Sequence, residues 1–69
     1  MPNQMVTAER VTVEDVLAVS DGPVLVCEIA GRRVGIPYAC IEAGSEVHGA
    51  GDRGKLVIPV ELARNLGLA

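Results

Sequence analysis

The string Gly49-Ala-Gly-Asp-Arg-Gly54-Lys55 carries the sharpest chemical possibility in this chain. It satisfies Gly-x-Gly-x-x-Gly and also Gly-x-x-x-x-Gly-Lys, the spacing with which backbone amides cradle a phosphate beside a lysine. A phosphate loop also needs a hydroxyl after the lysine to hold Mg²⁺, and a helix N-terminus aimed at the anion. Leu56 has no hydroxyl, and Lys55 opens an apolar run ending at Pro59, which reads as a strand. Sixty-nine residues leave no room for the surrounding βαβ unit. The string therefore reads as a flexible hairpin loop, and no cofactor is expected.

His48, the single histidine, stands close to Ser45, Glu46 and Asp52. A general base must be oriented against a nucleophile or a water. Glycine-rich surroundings predict that these side chains are solvated and not held in place. Cys27 and Cys40 are 13 positions apart with no second pair, which is not a zinc spacing. They read as free thiols packed like small hydrophobes. Cys40 lies near Tyr38, but no base that would activate it is close in sequence. No catalytic or metal-binding residue is expected, and the chain does not read as an enzyme.

The net charge is −3, from nine acids against six bases. Binding a phosphate backbone normally requires clustered Lys and Arg. Arg32 with Arg33, and Arg53 with Lys55, are the basic groupings, each flanked by acids. They are the candidate surface for a partner or nucleic acid, with nucleic acid the less favoured of the two. The opening Met-Pro-Asn-Gln has neither a basic region nor an apolar signal core, and no run approaches membrane-spanning length. A cytoplasmic protein with no membrane partner is expected.

The elements that must position these residues follow from composition. Apolar residues make up 49% of the chain, yet Tyr38 is its one aromatic. Core volume must come from Val, Leu, Ile and Ala, a mixture that favours strands. Domains below about 70–80 residues bury little core without disulfides, a metal or a partner subunit. Self-association is therefore expected, and a protein partner is compatible with it.

Residues 1–10 read as a flexible tail and 11–69 as one small domain. Val11, Val13, Val16 and Val19 alternate imperfectly, predicting a strand with a bulge. Thr12 followed by Asp15 also fits a helix capping box, so residues 12–19 remain open between the two. Ser20-Asp-Gly-Pro23 is a turn. Val24–Ile29 is a strand apolar on both faces, joined by the tight connection Ala30-Gly31-Arg32 to Arg33–Ile36. Pro37 ends that pairing, Tyr38–Cys40 is one helical turn, and Ile41 re-enters a strand. Residues 43–50 form a loop with one short pairing near Val47. Lys55–Ile58 is the last strand, and Gly54 is expected to take a positive φ in the turn before it. Pro59 then launches a helix bearing Val60, Leu62 and Leu66, capped by Gly67. The whole predicts a mostly β fold: four to five short antiparallel strands in a partly open, Src-homology-like barrel with a short C-terminal helix.

Gly54-Lys-Leu-Val-Ile-Pro59-Val-Glu-Leu-Ala-Arg-Asn-Leu-Gly-Leu68 resembles the AbrB-type swapped-hairpin family. Membership would imply an intertwined dimer that binds DNA or, as an antitoxin, pairs with a toxin. That family continues into a further strand after Leu-Gly; here Ala43–Val47, following the earlier Ile36-Pro37 step, resembles it instead. The wider pattern runs from Val16–Val19 through Val24–Val26 and Gly31–Val34 to both Ile-Pro steps. It is similar to short, uncharacterised bacterial and phage proteins, in which the positions of Gly35 and Glu61 are often tryptophan. The resulting expectation is a non-enzymatic binding or assembly module that associates with itself. An AbrB-type DNA-associated regulator or antitoxin is the alternative.

Overall fold

The computed structural model describes residues 9–68. Four antiparallel strands, β1 (Arg10–Asp21), β2 (Leu25–Ile29), β3 (Arg32–Ile36) and β4 (Arg53–Pro59), form one sheet in the order β3-β2-β1-β4. A 3₁₀ turn, Tyr38–Cys40, follows β3, and the helix α1 (Val60–Asn65) follows β4. The fold is mostly β, as its composition requires, and the sheet is open, with β3 and β4 as its outer strands. Most of the expected tail lies outside the described residues. Within them, Arg10 already belongs to β1, and the Glu9 carbonyl accepts a 3.0 Å bond from the Val60 amide.

β1 spans 12 residues and serves two partners in succession. Its first half pairs with β4 and its second half with β2, and Leu17 pairs with both Arg53 and Glu28. One register shift falls between Val13 and Val16, where Glu14 and Asp15 together oppose Lys55. Asp15 takes a left-handed φ of 61°, a conformation that Asp tolerates better than most residues. The extra residue returns Val16 to the face used by Val11 and Val13, which explains the broken alternation. The helical reading of 12–19 fails for this reason: the periodicity belongs to a bulged strand. A second shift lies between Ala18 and Ser20.

The connection from β2 to β3 is a two-residue turn. Ile29 pairs with Arg32, and Ala30 and Gly31 have φ of 53° and 81°. Positive φ at both central positions is the type I′ geometry, whose twist matches that of the flanking strands. Glycine adopts it freely; alanine does so under strain.

Every strand contributes to one core: Val16 and Ala18 from β1, Leu25, Cys27 and Ile29 from β2, Ile36 from β3, Leu56 and Ile58 from β4. Val47 from the long connection and Ala63 from α1 complete it, both with no exposed surface. Pro37 and Pro59 play one role at two places, each an extended residue (φ −60° and −61°) that caps the helical turn after it. Pro59 is thus the last residue of β4 and the N-cap of α1, one position earlier than the sequence suggests. The helix ends in a Schellman arrangement: the Gly67 amide bonds to the Arg64 carbonyl at 3.0 Å and the Leu68 amide to that of Ala63 at 2.7 Å. Gly67 supplies the φ of 76° that this requires, and Arg32 Nη2 donates to the Leu66 carbonyl at 2.9 Å. That bond ties the helix end to the start of β3.

Ala30→Asn should relieve the strain in the type I′ turn, since Asn-Gly is the favoured pair there. The expected gain is about 1 kcal/mol, or roughly 4–8 °C in Tm for a domain of this size. Thermal unfolding followed by circular dichroism checks it; an unchanged or lower Tm contradicts the strained-turn account.

Candidate functional site

The glycine string is not a free loop. His48 and Gly49 amides both donate to Asp52 Oδ2 at 3.0 Å, and the Ala50 amide donates to Asp21 Oδ2 at 3.1 Å. The Gly51 amide bonds to the Ala18 carbonyl at 2.8 Å, and the Asp52 amide to the Gly49 carbonyl at 3.1 Å. Lys55 N–H donates to Glu46 Oε1 at 2.9 Å. Converging amides suit an anion, as the motif implies, but the anions are the chain's own carboxylates. A phosphate would have to displace Asp52 and Asp21 against their charge. The flexible loop expected from the sequence is instead a pinned one, because carboxylates meet the amides that glycines expose. The His48 and Gly49 amides and the nearby His48 ring hold the Asp52 carboxyl below its ordinary range.

The segment before the loop runs along the outer edge of β4. Glu42 and Glu46 amides donate to the carbonyls of Val57 and Lys55 at 2.9 and 2.8 Å. Between them, the Ser45 hydroxyl accepts from the Val57 amide at 2.9 Å and donates to the Val57 carbonyl at 3.3 Å. One hydroxyl thus does what a paired residue would do in a ladder. The strand expected at Ile41 does not form; pairing occurs through Glu42 and Glu46, and Val47 drops into the core. Gly54 has the expected positive φ (149°), but it lies inside β4 and not in a turn. Glu46 crosses directly over it, so a Cβ on Gly54 would come within 3.0 Å of Glu46 Cβ.

Ser45, Glu46 and Asp52 are therefore held firmly, contrary to expectation, and each is spent on the backbone. His48 Nε2 lies 2.8 Å from the Ser45 carbonyl, an acceptor that places the ring proton on Nε2. Cys27 is buried, which pushes its thiol up and leaves it inert, and Cys40 is half-buried; both are free. The Tyr38 hydroxyl donates to the Gly22 carbonyl at 2.9 Å while the residue is 41% exposed. Loss of hydration and the charge of Asp21 push this phenol up. Among the described residues no cavity opens, and no three His, Cys, Asp or Glu side chains are grouped to hold a metal ion.

The candidate basic surface divides in two. Arg32 and Arg33 lie on β3, and Arg53 and Lys55 on β4, at opposite sides of the sheet. Arg33 and Arg53 share one cross-strand row, Arg33–Glu28–Leu17–Arg53. Three strand spacings separate them, about 14 Å. Glu28 lies 3.8 Å from Arg33, and Asp15 lies 3.6 Å from Arg53. Such exposed pairs add little stability, but they cancel charge along the row. Arg32 is turned to the helix end, and Lys55 is half-buried. The four do not converge on one groove.

Apolar surface remains around β2. Val24 and Val26 are half-buried, and Val26 pairs with Gly35, which has no side chain to cover it. Val24 leans into that space, with Cγ2 3.1 Å from where a Gly35 Cβ would stand. No helix among the described residues is long and apolar enough to cross a membrane. No family model, curated protein or solved structure matches this chain.

What the sequence reading missed is the structural use of Asp21, Ser45, Glu46 and Asp52. The available signal was acceptor side chains interleaved with exposed glycine amides. Gly54→Val should cost about 2 kcal/mol or more, combining disfavoured φ with displacement of Glu46, and lower Tm by roughly 8–16 °C. A calorimetric Tm near that of the parent contradicts it. Asp52→Asn tests the carboxylate on the amides. Because folding lowers this pKa, its stabilisation is full above the unfolded-state value and disappears as pH falls through the folded one. The variant should melt below the parent at neutral pH, and the gap should narrow as pH falls below the ordinary carboxylate range.

Proposed function

We propose that this chain is a non-enzymatic binding or assembly module that associates with itself. The observation that carries the reading is the two-sided apolar character of the sheet at β2. Leu25, Cys27 and Ile29 fill the core, while Val24 and Val26 remain half-covered on the other face beside bare Gly35. The polar groups of the glycine loop are engaged within the chain, so the unspent capacity for contact lies on the sheet. A core without large aromatics adds to the benefit of a second subunit.

Molar mass in solution tests this directly. Light scattering across micromolar to millimolar protein should show a mass that rises above one chain. A mass of one chain throughout that range sinks the reading.

A further inference from the structure

We propose that a second copy of this chain pairs with the outer edge of β3, antiparallel and centred on Val34; the proposal rests on the self-association reading and adds a backbone contact at the sheet edge to the apolar face that carries it. The two-residue turn fixes which backbone groups are free. In such a hairpin the flanking residues, here Ile29 and Arg32, exchange both backbone hydrogen bonds. Bonded and non-bonded pairs then alternate, so Val34 and Ile36 face Cys27 and Leu25. Arg33 and Gly35 direct their N–H and C=O groups away from β2. Among the described residues, no other backbone or side-chain group bonds to them on that side. β4, by contrast, has its outer groups met by Glu42, Ser45 and Glu46. The outer groups of Arg33 and Gly35 on β3 thus stand open where those of Lys55 and Val57 on β4 are met.

A two-fold pairing must set outward-facing residues against outward-facing residues, which leaves three centres. Centring on Arg33 opposes that arginine to its own copy, a like-charge contact that disfavours pairing. Centring on Gly35 opposes Arg33 to Pro37, which has no N–H to give. Centring on Val34 opposes Arg33 to Gly35 in both directions, making four backbone hydrogen bonds. Arg33 then lies beside a residue without a side chain, and the two Val34 side chains meet in the close, non-bonded pair. The arginine that would guard this edge against other strands is accommodated by this one register. β3 has five residues, so the contact is small, in the class of transient interfaces below about 1,200 Å². The dimer should therefore form progressively with concentration.

The experiment uses the full chain in four forms. Sedimentation from micromolar to millimolar protein should show the parent moving from one chain to two. Arg33→Pro, which removes an edge N–H that β2 does not use, should remain monomeric with its fold intact by circular dichroism, while Arg33→Ala should still dimerise. In a Cys40→Ser background, Val34→Cys should form a disulfide-linked dimer on mild oxidation. Paired Cα atoms there are about 4.5 Å apart, within disulfide reach. Arg33→Cys in the same background should crosslink at least about tenfold more slowly, because its copy is two positions away. A parent that stays monomeric overturns the self-association reading and this proposal together. A dimer that survives Arg33→Pro, or that Val34→Cys does not trap, overturns the edge pairing and leaves self-association standing.

Discussion

The backbone groups on the outer side of β4 must find partners, and among the described residues no further strand meets them. Unpaired buried amides and carbonyls cost free energy comparable to a lost hydrogen bond, so this requirement shapes everything between Ile41 and Lys55. Ser45 meets both groups of Val57, Glu46 meets both groups of Lys55, and the segment carrying them is drawn close enough to bury Val47. Gly54 must then lack a side chain, because Glu46 occupies the space above it. The sequence feature that most resembled a ligand site is the consequence of closing a sheet edge with side chains.

The acidic character of the chain has the same origin in part. Asp21, Glu46 and Asp52 act as acceptors for backbone amides, and Glu28 and Asp15 offset arginines along one row of the sheet. Net charge alone pointed away from nucleic acid. In the structure Arg32 and Arg33 lie on one outer strand and Arg53 and Lys55 on the other, with Glu28 beside Arg33 and Asp15 beside Arg53.

The architecture was largely legible because it is written in local patterns. The two-then-three spacing of Val11, Val13 and Val16 encodes a bulged strand, Ala30-Gly31 encodes a tight hairpin, and Gly67 encodes the end of a helix. The glycine loop was legible only in Asp52, which lies within the motif; the rest of its order comes from Asp21, distant in sequence, and Glu46, placed before the motif. The pairing near Val47 was anticipated, but the burial of Val47 was missed for a related reason. Its burial depends on neighbours that replace a strand without forming one, and no periodicity records that.

β1 is shared between a near neighbour and a distant one. Its second half meets β2 across a short turn, whereas its first half waits for β4, which lies beyond β3 and the whole glycine loop. During synthesis the hairpins β1–β2 and β2–β3 can close while Val11 and Val13 still have no strand beside them. Only when Leu56 and Ile58 leave the ribosome does that half of β1 acquire its pairing. This valine-rich half-strand therefore depends on the more distant of the two pairings that β1 makes. Long-range pairing of this kind is slow to form and leaves a strand open to wrong partners until it does.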